Sequence, residues 1–128
     1  MSISGFFEHE LNAPLNNVRW SWGAVDGEGN VYLRVWENEF RCIDGKRHAL
    51  ILRRPGGRDA HRRRPGRRER EDHVERIVHG VKAFCVVCRA KDPEATPKAI
   101  ASFDKTPPLQ GRRVVPQDGN LYLEIGLP

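Results

Sequence analysis

The clearest alternation of apolar and polar positions in the chain runs from Val18 to Trp36, VRWSWGAV-DGEGN-VYLRVW. Two runs rich in Val, Tyr and Trp flank Asp26-Gly27-Glu28-Gly29-Asn30, a turn whose glycines can supply positive φ, and this predicts a β-hairpin. Side chains alternate between the faces of a strand. Val18, Trp20, Trp22 and Ala24 are therefore expected on one face, joining Val31, Leu33 and Val35 of the partner strand in a single core wall. The opposite faces carry Arg19, Ser21 and Gly23 on one strand and Tyr32, Arg34 and Trp36 on the other. That mixture of cations, a hydroxyl and aromatics is the first candidate site.

The rest of the pattern fills in around this hairpin. Ile3 to Leu11 predicts a short helix with Phe6, Phe7 and Leu11 on one side, ended by Asn12-Ala13-Pro14. A turn at Asp44-Gly45-Lys46 precedes a third strand, His48 to Arg53, apolar enough to lie centrally. Pro55-Gly56-Gly57 breaks that strand, and an Arg-rich loop runs on to Pro65-Gly66. Arg67 to His79 is the best helix, with Val74, Ile77 and Val78 packing and Gly80 placed to cap its C-terminus. Lys82 to Ala90 reads as a buried strand and Lys98 to Phe103 as a short one with Ile100 and Phe103 turned inward. Arg112 to Val115 and Leu121 to Ile125 form a closing hairpin across Gln117-Asp118-Gly119-Asn120. The expected fold is α+β: a mostly antiparallel, curved sheet or small open β-barrel with one main helix and a basic loop at about residues 53–66, in a single domain over residues 1–128.

Composition adds one strong feature to this picture. At 128 residues, 38% hydrophobic and 30% charged, the chain suits one globular domain, and no apolar run approaches the roughly 18 residues a membrane span requires. The opening MSISGFFEHEL has neither a basic n-region nor a long apolar stretch, which points to a cytoplasmic protein, and three cysteines fit a reducing compartment. The net charge of +5 is unevenly distributed. Residues 53–70 hold nine arginines (Arg53, Arg54, Arg58, Arg62, Arg63, Arg64, Arg67, Arg68, Arg70) against Asp59 and Glu69, a local +7, while the remainder has 13 basic and 15 acidic residues. A concentrated basic segment on a slightly acidic domain attracts polyanions, so nucleic acid, DNA or RNA, is the first partner to consider.

Candidate chemistry is sparse. GxGxxG, Walker A, GxSxG, HExxH and EF-hand patterns are missing from the sequence, and no cofactor or metal is expected. Cys85-Val86-Val87-Cys88 has the spacing of a zinc or redox pair. On a strand, however, two residues three apart face opposite ways, so both thiols read as small buried hydrophobes. His9 reads as solvated, and His73 and His79, six apart, do not share a helical face. A metal-dependent nuclease would have to assemble scattered carboxylates such as Asp26, Glu28, Glu37 and Glu39, a reading that stays open without being specified.

The segment NNVRWSWGAVDGEGNVYLRVWENE, a following helix of the form RxREDHxExIxxG, and FCVVCRAKDPEATPKAIASFD together resemble a small bacterial domain found alone or beside nuclease modules in restriction-type defence proteins. The likeness covers Asn17 to about Asp104. The strand order is also similar to PUA-type open barrels, including the EVE, YTH and ASCH domains, which bind RNA or read modified bases in an aromatic-lined pocket. That resemblance implies a pocket drawn from Trp20, Trp22, Tyr32 and Trp36, with Arg19, Ser21 and Arg34 near the base. Arg58, Arg62, Arg63, Arg64, Arg67, Arg68 and Arg70 would lie on the phosphate backbone. The expected function is a nucleic-acid-binding module; the alternatives are a metal-dependent nuclease or associated defence protein, and a protein-interaction domain whose arginines meet an acidic partner.

Overall fold

A computed structural model describes residues 2–54, 65–95 and 99–126. Its core element is a mixed eight-stranded sheet that does not close, in the order β1-β2-β5-β7-β8-β4-β3 with β6 beside β5. The strands are β1 (Gly23–Val25), β2 (Val31–Trp36), β3 (Phe40–Ile43), β4 (Lys46–Leu52), β5 (Ala83–Ala90), β6 (Ile100–Phe103), β7 (Leu109–Gln117) and β8 (Asn120–Ile125). Of the seven strand pairings six are antiparallel; β2 and β5 run parallel because β3, β4 and the main helix all intervene between them in the chain. The class is α+β, as expected, with two main helical segments among the described residues and a 3-10 turn at Glu37–Glu39. The first, α1, is a short turn of α-helix at Ile3–Gly5 that continues as a π-turn over Phe6–Glu10. The second, α2, spans Pro65–Val78 and ends where Gly80, at φ +103°, lets the amides of Gly80 and Val81 return to the carbonyls of Ile77 and Arg76.

The first hairpin departs from its expected form in two ways. Only Gly23–Val25 is strand before the turn. Residues 17–21 instead close on themselves: Asn17 Oδ1 accepts the Arg19 amide, Ser21 Oγ accepts the Asn17 amide, and the Ser21 amide returns to the Asn17 carbonyl. Such local side-chain bonds compete with a strand ladder and here prevail. Val18 is consequently 68% exposed and Trp22 36% exposed, so neither belongs to the core wall. The second departure is register. The turn pairs Val25 with Val31 and Gly23 with Leu33, so Ala24 lies opposite Tyr32 on the other face; a shift of one residue turns every side chain over. The turn is held by the Asp26 carboxylate, which accepts the amides of Glu28 and Asn30, the Asn30 side-chain amide and the Tyr32 hydroxyl.

Two further turns behave as their residues dictate. Asp44-Gly45 joins β3 to β4 and Asp118-Gly119 joins β7 to β8, with φ of 52° and 75°, and 53° and 81°. Positive φ at both central residues is what a two-residue hairpin requires.

The sheet buries both faces. Its inner face, with Val31, Leu33, Val35, Ala49, Ile51, Cys85, Val87 and Leu123, packs on Val74 and Ile77 of α2. On the outer face of β1, β2 and β5, the chain's N-terminal segment lays Phe6, Phe7 and Ala13 over Ala24 and Val86, with Tyr32 and Phe103 alongside. Phe6 and Phe7 are buried as the helix pattern suggests. Val78, expected inward, is 61% exposed. Its place is taken by a stripe of polar residues: Arg67, Arg70 and His73 are buried beside Gly66, Val74 and Ile77.

Candidate functional site

The buried polar stripe of α2 exists because the sheet is open. The β1 ladder on β2 ends at Leu33 and the β3 ladder on β4 ends at Ala49, and just beyond these ends Arg70 reaches backbone carbonyls from the helix. Its Nη1 donates to the Ile51 carbonyl at 2.6 Å, and its Nη2 donates to the carbonyls of Trp22 at 2.8 Å and Arg34 at 2.7 Å. Burial drives the Arg70 pKa down to about 10. One turn earlier, Arg67 donates from Nη1 to the Arg53 carbonyl at the end of β4. One turn later, His73 lies 2% exposed against Gly23; burial first, and then the Arg70 charge, lower its pKa to about 4, so the ring is neutral at physiological pH.

The hairpin supplies the other wall. Ser21, fully buried, donates to Glu69 Oε2 of α2 at 3.2 Å, and Asn16 Nδ2 reaches the same oxygen at 3.0 Å. Arg34, on the outer face of β2, donates to the Ser21 carbonyl at 2.9 Å, and burial lowers its pKa. Gly66 brings the start of α2 against the hairpin: a Cβ there would lie 2.6 Å from the Trp20 carbonyl oxygen and 2.7 Å from the Trp22 indole nitrogen. The Trp22 ring, with the Arg70 guanidinium carbon 5.8 Å from its centre, keeps one part in solvent.

This geometry sorts the expected site residues. Arg19, Trp22 and Arg68 present surface, and Trp20 and Trp36 are half-buried. The outer face bearing Tyr32, Arg34 and Trp36 is not an open cage. Tyr32 stacks on Phe84 at 5.1 Å and 18° and is half covered by the N-terminal segment, and Arg34 is engaged by Ser21. Arg67 and Arg70, expected on phosphates, point inward onto carbonyls, so they do not extend the basic surface onto the helix. Arg58, Arg62, Arg63 and Arg64 lie outside the described residues.

Three of the four carboxylates weighed for a metal, Asp26, Glu37 and Glu39, are employed elsewhere. Asp26 holds its turn; burial works against it, but the hydrogen bonds from Asn30, Glu28 and Tyr32 keep its pKa below the usual value. Glu37 pairs with Arg89 and Glu39 with Arg53. Among the described residues no three His, Cys, Asp or Glu side chains gather as a metal would need. Cys85 faces the inner core and Cys88 the opposite side of β5; burial pushes the Cys85 thiol up to about 12 and raises that of Cys88. Neither is poised as a thiolate. Among the described residues no helix is long and apolar enough to cross a membrane.

A second charged constellation was not anticipated. Glu124 of β8 is 3% exposed, yet it lies on the outer face, with Lys46 Nζ at 3.7 Å, Arg112 Nε at 3.5 Å and Arg113 Nε at 3.4 Å. The pattern LYLEI does show Glu124 alternating with core residues. What it hides is a bulge in β7, where Arg112 and Arg113 together oppose Glu124.

Comparison with protein-family models, with characterised proteins and with solved structures finds no match.

Proposed function

We propose that the protein is a nucleic-acid-binding module in which the arginine-rich segment contacts the phosphate backbone and Trp22, beside it, offers a stacking surface. The observation that carries this reading is the charge concentrated in residues 53–70: with Arg67 and Arg70 turned inward, seven arginines still stand against Asp59 and Glu69, a local +5. The segment follows β4, which ends at Leu52, and continues into α2 from Pro65, next to the Gly66 contact with Trp20 and Trp22. Exposed Arg68 follows in α2, and exposed Arg19 precedes Trp20 in the chain. Arginines on phosphates with an aromatic face for a base is the usual division of labour in single-strand recognition, stacking contributing about 1 to 3 kcal/mol per base. The curled, open sheet with a helix against its inner face supports kinship with PUA-type base readers, and through it the idea that a modified or extruded base is read. Of the aromatics proposed for that pocket, Trp22 is the one with the most solvent-facing surface.

The test is tryptophan-quenching titration with single-stranded and duplex DNA and RNA, with and without modified cytosine or adenine, across about 50 to 200 mM salt. Binding is expected with a steep salt dependence, and Arg62→Ala/Arg63→Ala/Arg64→Ala should flatten the log–log salt slope by about 2 to 3. Absence of binding at low salt would overturn the proposal. An acidic protein partner would then be the better occupant of the segment.

A further inference from the structure

Glu124 is an unusual residue to find under a surface of cations. Its carboxylate is almost wholly covered, and the three basic groups around it approach to 3.4–3.7 Å without forming close, directed bonds; Oε1 has no hydrogen-bond donor among the described residues. The stems of Lys46, Arg112 and Arg113 cover the acid while their side chains remain 57%, 64% and 70% exposed. Three positive charges around one negative charge leave a local +2 facing solvent. The β7 bulge is what builds this: in a regular strand Arg112 and Arg113 would face opposite ways.

The ring is also continuous with the basic segment. Residues 120, 122 and 124 alternate onto the same outer face of β8. Asn120 Oδ1 accepts the Arg54 amide, and Tyr122 lies under the Arg41 guanidinium, 5.9 Å from its ring centre. Arg41 also pairs with Asp118, so it adds no net charge, but its planar group roofs the strand between the two ends. From Asn120 to Glu124 is four residues, about 13 Å, the axial length of roughly four base pairs.

We propose that the outer face of β4, β8 and β7, with Arg112, Arg113 and Lys46 arranged around Glu124, is a second phosphate-contact surface, on which the same nucleic-acid backbone held by the arginine-rich segment continues. The inference rests on the functional reading above. Glu124 does not itself touch the ligand; it is a positioning residue that holds the three cations together and limits their net charge. A phosphodiester backbone fits because its charges repeat along a line, as the Arg54 and Arg112–Arg113 ends of this face do.

The experiment is a salt-dependent anisotropy titration with a fluorescein-labelled oligodeoxynucleotide, single-stranded and duplex, using the parent protein, Arg112→Gln/Arg113→Gln, and Glu124→Gln. The double variant is expected to weaken binding about tenfold at low salt and to flatten the log–log salt slope by about 2. Glu124→Gln removes a negative charge without removing volume and should do the reverse, tightening binding a few-fold with a steeper slope. If Arg62→Ala/Arg63→Ala/Arg64→Ala weakens binding while Arg112→Gln/Arg113→Gln leaves both affinity and slope at the parent values, this second surface is refuted and the functional reading stands. If the parent does not bind, both fall together. Unchanged affinity and slope in Glu124→Gln, with its unfolding midpoint at the parent value, would overturn the role given to the carboxylate. Equal affinity of the parent for polyglutamate and for the oligonucleotide would overturn phosphate as the occupant.

Discussion

Replacing Arg70 with methionine tests the central packing argument, because the side chain keeps much of its length and loses only its guanidinium. That group donates to three carbonyls from separate elements: Ile51 on β4, Arg34 on β2 and Trp22 ahead of β1. A hydrogen bond from a charged donor contributes about 1.5 to 3 kcal/mol, which would place an upper bound of several kcal/mol on the loss. Two effects reduce it. Trp22 O keeps the Arg34 amide as a donor, and methionine removes the cost of burying a cation, the same cost that drives the Arg70 pKa down to about 10. The expected net loss is about 3 to 5 kcal/mol, a large part of the roughly 5 to 15 kcal/mol that a domain possesses. Urea unfolding followed by far-ultraviolet circular dichroism measures it. Arg68→Met, on the exposed side of the same helix, should stay within about 0.5 kcal/mol of the parent. Arg70→Lys keeps the charge but presents a point rather than a fork, and should recover less than half of the loss. An Arg70→Met protein within about 1 kcal/mol of the parent would refute the reasoning, since the open side of the sheet would then be held by apolar packing alone.

Two further predictions concern neighbours of Arg70. His73 has a folded pKa of about 4 against 6.5 for an ordinary histidine, so on acidification the unfolded chain takes up its proton first; stability should fall as pH drops from 6.5 towards 4, by at most about 3 kcal/mol, and level off below. Unfolding midpoints measured across that range should lose this slope in His73→Gln, and an unchanged slope would show that other groups carry it. Gly66→Ala would ordinarily favour a helix by up to about 1 kcal/mol. Here the added carbon meets the Trp20 carbonyl at 2.6 Å and the Trp22 indole at 2.7 Å, so the variant is expected to lose about 1 to 3 kcal/mol and to shift tryptophan emission in the folded state; a stabilised variant would contradict the contact.

The sequence made the turns and the strongly apolar strands legible, and for local reasons. Asp44-Gly45 and Asp118-Gly119 form tight hairpins because those residue types tolerate positive φ, and the unbroken apolar run of β5 permits little besides a buried strand. The first hairpin departs from its sequence pattern where the deciding interactions are non-local or in competition. Alternation over residues 18–24 looks like a strand until Asn17 and Ser21 are seen to satisfy one another's backbone, and register depends on which turn residue closes the loop. Helix α2 was found with its start displaced by two residues, but its inner face was not. A period of 3.6 in Gly66, Arg67, Arg70, His73, Val74 and Ile77 reads as amphipathic only if arginine is allowed to be the buried residue. The Glu124 ring depends on a bulge, and a bulge leaves no mark in composition.

These placements change how the net charge should be read. Nine arginines in eighteen residues suggest one uniform basic patch, yet those among the described residues divide by what each guanidinium meets. Arg67 and Arg70 meet carbonyls at an unclosed side of the sheet, where a fork of donors can satisfy acceptors from several strands at once. Arg53 meets Glu39. Arg54 and Arg68 face solvent. Meanwhile the remainder, slightly acidic by count, assembles a basic face from Lys46, Arg112 and Arg113, while Asp26 is held in its turn and Glu37 is paired with Arg89. Net charge fixes how strongly a polyanion is attracted from a distance, whereas where the cations stand on the surface is set by backbone features such as the β7 bulge. Substitutions at Arg70 should therefore appear as lost stability, and substitutions at Arg112 and Arg113 as a changed salt slope, although all three are arginines of the same basic chain.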